Sequence, residues 1–477
     1  MYDVMIIGAG ITGSLIAKEL SHYQLQVAIL EKDNDVANEA TAANSAIIHS
    51  GHDPKDGTLK AKLNVRGNQL FEDLCKELQV DFMRCGGLVV AVSEEELAQL
   101  DLLYQQAVDR NIPVRYVTKE EAQATEPNLS DQVIKAIDLP STGIVCPWEV
   151  AIAAVEDAMN NGVELYLEHP VKNVKQIDSY FEITTPKRTF QAKTIINCAG
   201  VYADDIYRMV SNQVSFTIHP RKGEYYVLDK EVHPIVSRVI YPLPSEKGKG
   251  VLVVPTTHNN VLLGPNSEVI EDKEGNNNTV DALRYVRQEV SKTVKNIPMN
   301  QIIRTFVGLR PTGSTHDFII EEAKDVPNFI NVACIESPGL ASAPAISEYV
   351  VKEILLKKRD MALKTAPRIQ RRPWIVLKKM DFERRQSMVK QDPRYAQMIC
   401  RCEQISEGEI VDAIHRNCGA TTVKGVKKRV RPGTGRCQGG FCEPKVVDIL
   451  ARELHKSPLE ILMDSSQSTM LVASTKE

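Results

Sequence analysis

The chain has 477 residues, of which 43% are hydrophobic and 25% charged, with a formal net charge of −4. That length calls for two or three cores rather than one. The balanced charge removes any global bias toward nucleic acid, and no apolar run approaches the roughly 18 residues of a membrane-crossing helix. Met1-Tyr2-Asp3 leads straight into a strand, without the basic and apolar leader of a secreted chain, so a cytoplasmic location is expected.

Val4-Met5-Ile6-Ile7 is a continuous apolar run and reads as a buried parallel strand. Gly8-Ala9-Gly10-Ile11-Thr12-Gly13 follows, then a helical stretch over Ser14–Leu20 and a second strand over Gln26–Leu30, ending at Glu31. This strand–turn–helix–strand unit gives the Gly-x-Gly-x-x-Gly motif the context a dinucleotide site requires. Gly8 allows the tight turn, Gly10 lets the backbone approach a pyrophosphate, and Gly13 permits close packing of helix on strand. The helix N-terminus turns its partial positive charge toward the phosphates. Glu31 would accept hydrogen bonds from ribose hydroxyls, which fits FAD or NAD and disfavours the 2′-phosphate of NADP.

Residues 59–79 read as an amphipathic helix, with Leu59, Leu63, Leu70, Leu74 and Leu78 near helical spacing. Further helices are expected over 94–110, 149–161 and 342–357. Strands and hairpins dominate 163–265, with turn signals at Pro220, Lys222-Gly223, Lys247-Gly248-Lys249-Gly250 and Asn259-Asn260. The polar, Asn-rich stretch 271–279 reads as a surface loop. Residues 358–399 are rich in Lys and Arg with little patterned hydrophobicity, as in a linker with a docking segment. A cysteine-bearing module follows, and the Ser/Thr-rich tail from about 464 is expected to be mobile. No internal repeat is visible.

Two later segments have the same look as the first strand and turn. Thr194-Ile195-Ile196-Asn197-Cys198-Ala199-Gly200 is a strand ending in small residues, and Asn328–Cys334 is another that runs into Ser337-Pro338-Gly339-Leu340. Together with Asn44–Gly51, Lys60–Gly67, Pro220–Glu224 and Gly308-Leu309-Arg310-Pro311, these pieces resemble the D-amino-acid-oxidase-like family of FAD enzymes over roughly residues 1–358. Within that family the sequence looks nearest to FAD-linked glycerol-3-phosphate dehydrogenases and oxidases and to L-2-hydroxyglutarate oxidases. The resemblance implies an α/β plus α+β architecture: a Rossmann-like FAD-binding domain (1–80, 141–215 and 305–358) with an inserted antiparallel-sheet substrate domain (81–140 and 216–304). It also implies non-covalent FAD held by Gly8, Gly10, Ile11, Thr12, Gly13, Glu31, Lys32, Thr41, Asn44, Ser45, Ala199, Gly200, Pro338, Gly339 and Leu340.

Oxidising a secondary alcohol with a flavin needs a base for the hydroxyl proton, a carbon held near the flavin, and an anchor that fixes orientation. His49, in the small-residue segment Ala42–Gly51, is the candidate base, with an ordinary pKa suited to neutral pH; His52 competes with it. Arg310 is the candidate anchor, because its planar fork matches phosphate or carboxylate. His258, in Pro255-Thr256-Thr257-His258, is expected to line the same cavity from a hairpin. Ser337 is placed beside the substrate. The backbone amides of Ser337–Leu340 and the helix after them would face the flavin, where a positive helix end stabilises negative charge.

Of the ten cysteines, five fall between 400 and 442, which argues for metal or redox work rather than a disulfide scaffold. Cys400-x-Cys402 and Cys437-x-x-x-x-Cys442 could bind zinc or a [2Fe–2S] cluster through four thiolates. Cys400-Arg401-Cys402-Glu403, Gly425–Arg429 and Gly435–Cys442 resemble the bacterioferritin-associated-ferredoxin-like [2Fe–2S] domain, which places the module at 398–455 after a linker (359–397) and before a tail (456–477). That likeness implies Cys400, Cys402, Cys437 and Cys442 as ligands and leaves Cys418 as a packed cysteine. The basic residues Lys424, Lys427, Lys428, Arg429, Arg431 and Arg436 read either as a solvated face or as a surface that steers an acidic partner. Nucleic acid is not expected there, because aromatic residues are nearly absent.

The two resemblances imply a dehydrogenase for a small anionic substrate, sn-glycerol 3-phosphate before a 2-hydroxy acid such as L-2-hydroxyglutarate. Electrons would pass from FAD to the cluster and on to an electron-accepting subunit or a quinone pool, with any membrane contact peripheral. An electron-transfer subunit of a larger complex is the reading from a different class.

Overall fold

The computed structural model describes residues 1–244 and 250–475, so the turn signal at 247–249 lies outside the described residues. Tyr2–Ile7 lies inside an eight-stranded sheet, parallel to Val27–Leu30 on one side and to Thr189–Asn197 on the other. Phe329–Ala333 continues the sheet in parallel beyond Thr189–Asn197. Strands of this kind are apolar on both faces because both faces are covered. Val4 and Ile6 enter a core with Ile16, Leu20, Val150 and Ile346, contributed by the helices Ile11–Leu20, Pro147–Asn160 and Gly339–Glu348. Met5 and Ile7 enter a second core with Phe181, Phe190, Tyr207 and Phe329 on the opposite face.

The expected strand-rich region 163–265 divides between two sheets. Glu164–Asn197 belongs to the first, and Ile218–Gly264 to a nine-stranded second sheet that also takes in Gly87–Ala91 and Lys135–Leu139. The long strand Ile218–Leu228 runs antiparallel to Ile302–Gly313, with Arg221 opposite Arg310 and Gly223 opposite Gly308. This is the expected Rossmann-like domain with its inserted, largely antiparallel sheet; one pair, Val239–Pro242 with Gly87–Ala91, is parallel. The helices expected over 59–79 and 149–161 form as Leu59–Leu78 and Pro147–Asn160. The one expected over 342–357 starts earlier, at Gly339, and widens into a π-type turn over Tyr349–Leu355.

The stretch 271–279 is the expected surface loop, tethered to the first domain: Lys273 Nζ lies 2.7 Å from Asp204 and 2.6 Å from Asp205, and Glu274 accepts from Tyr202. One expectation changes. The tail is held at least to Met470, because Leu462 bridges Thr469 and Asp464 pairs with Lys424. The packed contacts made by the Leu462 carbonyl with Val423 N–H account for the difference, which Ser/Thr composition alone does not reveal.

The cysteine module is a small helical unit, Glu407–Ile414, Val423–Val430 and Glu443–Leu454, around its own core of Ile410, Val426, Val446 and Leu450. It is docked by buried charge. Arg429 makes two 2.9 Å bonds to Asp35, and Lys428 lies 2.9 Å from the same carboxylate. Glu156 in Pro147–Asn160 takes Arg371 of the linker at 2.7 Å and Arg416 of the module at 2.7 Å. Among the described residues no helix is long and apolar enough to cross a membrane.

Candidate flavin cavity and cysteine site

The first sheet's carboxyl edge and the inserted sheet enclose a cavity of about 930 Å³. Gly8, Gly10, Ile11 and Thr12 line it, as do Glu31, Lys32, Thr41, Asn44 and Ser45 from the first βαβ unit and the loop after it. Ala199 and Gly200 line it from the second strand end, and Ser337, Pro338, Gly339 and Leu340 from the third. Gly13 does not line it; its Cβ would fall 2.1 Å from the Gly8 carbonyl oxygen, so its part is helix–strand packing. Gly8 sits at φ +102°, a conformation other residues resist, and a Cβ there would meet the Cys198 carbonyl at 2.5 Å. The helix Ile11–Leu20 has no side-chain cap at Gly10, which leaves first-turn amides facing the cavity for an anion. Thr41 Oγ1 takes one of them, from Ile11, at 2.9 Å.

Glu31 accepts from the Ala9 amide at 2.7 Å and the Asp33 amide at 3.0 Å. Burial, together with the neighbouring Asp33 charge, nonetheless pushes its carboxyl up to about 7. Hydroxyl donors arriving there would favour the ionised form.

Arg310 and His49 line the same cavity. Arg310 lies over Gly223, whose missing side chain makes the room: a Cβ would stand 2.8 Å from Nη2. Nε and Nη2 are spent on the carbonyls of Arg221 (3.3 Å), Lys222 (3.2 Å) and Asn266 (2.9 Å), and Nη1 makes no hydrogen bond among the described residues. Burial draws its pKa down from the ordinary value while Tyr225 and Glu336 oppose that. His49 is oriented by Tyr241, whose hydroxyl is 3.4 Å from Nδ1, and its carbonyl accepts from Asn64 (2.9 Å) and Asn68 (3.0 Å). His52 packs edge-on to the same tyrosine but is buried outside the cavity lining, so the geometry favours His49.

His258 is a correction. It does not line the cavity; its Nε2 lies 2.9 Å from Glu149 Oε1, because the turn carrying it points to the start of Pro147–Asn160. Residues that sequence reasoning did not single out also reach the cavity. Tyr225 stacks on Phe306 and shares a 3.2 Å hydrogen bond with Ser45, and Glu336 is tied by Lys60 at 2.7 Å and Thr312 at 2.6 Å. Alternation along Ile218–Leu228 and Ile302–Gly313 was the available signal, but it does not say which face meets the ligand.

In the module, Cys402 and Cys437 have their sulfurs 3.8 Å apart, and Cys400 and Cys442 form the other pair. No three of the four sulfurs come within 4.8 Å of one another. Zinc–sulfur bonds of about 2.3 Å would gather all four sulfurs to roughly 3.8 Å around one ion. The two-plus-two arrangement would suit a [2Fe–2S] cluster, held by Cys400, Cys402, Cys437 and Cys442. Hydrogen bonding from Cys442, with amides of Gly433 and Glu403, lowers the Cys400 thiol to about 6 against the effect of burial. Cys418 is packed, as expected, and its carbonyl accepts from Arg429.

The basic residues around the module are paired; Lys428 and Arg429 are buried, while Arg436 stays exposed. Lys424 pairs with Asp464, Lys427 with Glu443, Lys428 and Arg429 with Asp35, Arg431 with Glu403, and Arg436 with Glu231. The cations close the module onto itself and onto the rest of the chain.

This combination of a doubly wound dinucleotide edge, an inserted sheet over the flavin position and a four-cysteine module defines a flavoprotein oxidoreductase with an iron–sulfur domain. Residues 3–353 match the FAD dependent oxidoreductase family, and residues 398–452 match the BFD-like [2Fe-2S] binding domain. The chain belongs to the FAD-dependent oxidoreductase family. It is 48% identical over 479 aligned positions to a glycerol 3-phosphate dehydrogenase of Caloramator mitchellensis, covering 100% of this chain and 99% of that one. The solved, FAD-bound L-alpha-glycerophosphate oxidase of Mycoplasma pneumoniae superposes with a TM-score of 0.74 at 30% identity, over 78% of this chain and 99% of that chain. A human mitochondrial L-2-hydroxyglutarate dehydrogenase is 31% identical over 57% of this chain and 62% of its own length.

Proposed function

We propose that the chain oxidises sn-glycerol 3-phosphate to dihydroxyacetone phosphate. The reading is carried by one observation: His49 and Arg310 face a single cavity whose other walls are the dinucleotide residues. The relative that matches both the flavin and cysteine regions end to end, a glycerol 3-phosphate dehydrogenase, supports the substrate class. Arg310, with an unspent Nη1, binds the phosphate and fixes the glycerol carbon chain. His49 accepts the hydroxyl proton as the carbon–hydrogen bond breaks, and Tyr241 holds the ring in place. FAD held along Gly8, Gly10, Thr12 and Glu31 would supply the hydride acceptor, and a [2Fe–2S] cluster held by Cys400, Cys402, Cys437 and Cys442 would supply a one-electron relay toward an external acceptor, an electron-accepting subunit or the quinone pool.

Anaerobic titration of the purified chain with glycerol 3-phosphate tests this. Flavin bleaching followed by the paramagnetic signal of a reduced cluster is the expected result. Bleaching with L-2-hydroxyglutarate alone would move the substrate assignment. Silence with both would overturn the enzymatic reading in favour of an electron-transfer subunit.

A further inference from the structure

Away from the cavity and the four module cysteines, three side chains of metal-ligating type converge. The Cys146 sulfur, a Glu149 carboxylate oxygen and a His258 ring nitrogen all lie within 4.8 Å of one another. Cys146 and Glu149 are 4% and 6% exposed. Among the described residues no other trio of this kind occurs.

The local sequence explains half of the cluster. Cys146 is the N-cap of Pro147–Asn160 and Glu149 is its third residue. In a capping box each of these two side chains reaches back to the other residue's backbone amide, which brings both to the same side of the helix start, with Ser or Thr at the first. Here a thiol stands where the hydroxyl would, and it makes no capping hydrogen bond. A thiol and a carboxylate are thus held side by side at a helix N-terminus, where negative charge is favoured. His258 comes from the inserted sheet, on a turn pinned by the Asn260 amide to Thr256 Oγ1 at 3.0 Å.

We propose that Cys146, Glu149 and His258 bind one divalent transition-metal ion of the zinc class. Thiolate, carboxylate and imidazole are the donors zinc takes in proteins, and three protein ligands leave a fourth position for water. The ion would also meet the cost of burying the carboxylate and the thiol together. Arg431 of the cysteine module lies on the same side of Glu149 and reaches Glu403, with Nε 3.8 Å from Oε2. The ion would therefore clamp the flavin-binding domain to the inserted sheet, against the docked iron–sulfur module.

The test is metal counting on the full-length chain, purified anaerobically and exposed to equimolar zinc. About one zinc per chain is expected beside the cluster iron. Cys146→Ala and His258→Gln should each lose the zinc while keeping iron and flavin. Cys402→Ser/Cys437→Ser should lose iron and keep the zinc. Cobalt in place of zinc should give a thiolate-to-cobalt absorption band that Cys146→Ala removes. His258→Gln keeps the turn's volume and serves where Cys146→Ala fails to fold. No zinc in the wild-type chain, equal zinc in all variants, or zinc that follows Cys402 and Cys437 would each overturn the assignment and leave a metal-free hydrogen-bonded trio.

Discussion

Burial and the Asp33 charge push the carboxyl of Glu31 up to about 7, which makes flavin capture depend on pH in a defined direction. Ribose hydroxyls can donate only to lone pairs, and the ionised carboxylate offers most of them. FAD therefore binds the ionised form, and its donors pull the pKa down again. Below about pH 7 the carboxyl must first release a proton, so affinity falls as pH falls. At about pH 6 roughly one site in ten is ionised, against nine in ten at about pH 8, so the dissociation constant should rise about tenfold, or about 1.4 kcal/mol, between the two. Near pH 6 about one proton should leave per FAD bound, which calorimetry in two buffers of different ionisation heat measures directly. The same shift acts on stability in the opposite direction: a raised carboxyl stabilises below its unfolded pKa, and that contribution is lost as pH rises through about 7. Glu31→Gln should bind FAD about 1.5–3 kcal/mol more weakly at pH 8, through loss of charged hydrogen bonds, and with a flat pH profile. An affinity that does not change between these pH values, or an unchanged slope in Glu31→Gln, would refute the reasoning.

Other substitutions separate the roles of neighbouring residues. His49→Asn should lower kcat by about 10²–10⁴ with FAD content unchanged, measured by anaerobic dye reduction. Arg310→Lys loses the planar fork and should raise KM for glycerol 3-phosphate more than it lowers kcat. Gly308→Ala would drive a Cβ to 1.9 Å from the Ala43 carbonyl and should abolish flavin loading, read from the absorbance of the purified protein. Arg429→Met leaves Asp35, which the two module cations hold well below the usual carboxylate range, short of its main partner; a loss of about 3 kcal/mol is expected in chemical unfolding. Asp35→Asn/Arg429→Met should recover part of that loss, as contacting pairs do not add.

Legibility followed how local each signal was. Gly8, Gly10, Gly13 and Glu31 act within one strand–turn–helix–strand unit, and their spacing carries the geometry. The cysteine spacing was equally readable, though only the fold separates its two-plus-two pairing from a single-ion site. His258 was misplaced because a hairpin tip can point to either side of its sheet, and the choice rests on contacts with Glu149, more than a hundred residues away. The basic run was misread for the same reason: Asp35, Glu231 and Asp464 neutralise it, and none lies within its own segment. Cys146 with Glu149 was legible in principle, as a capping box with sulfur in place of oxygen.

The loop that begins at Glu31 and reaches Asn38 has two tenants. Its start and end line the cofactor cavity, and its middle seats the iron–sulfur module: Lys428 bonds the Val36 carbonyl at 2.6 Å and Asn38 Oδ1 at 2.7 Å beside the Asp35 pair. The last fifth of the chain therefore finishes a wall near its beginning. A polypeptide emerging from the ribosome cannot complete that wall until synthesis is nearly over, and a chain cut short before the module would leave Asp35 without Lys428 and Arg429 at the edge of the cofactor site.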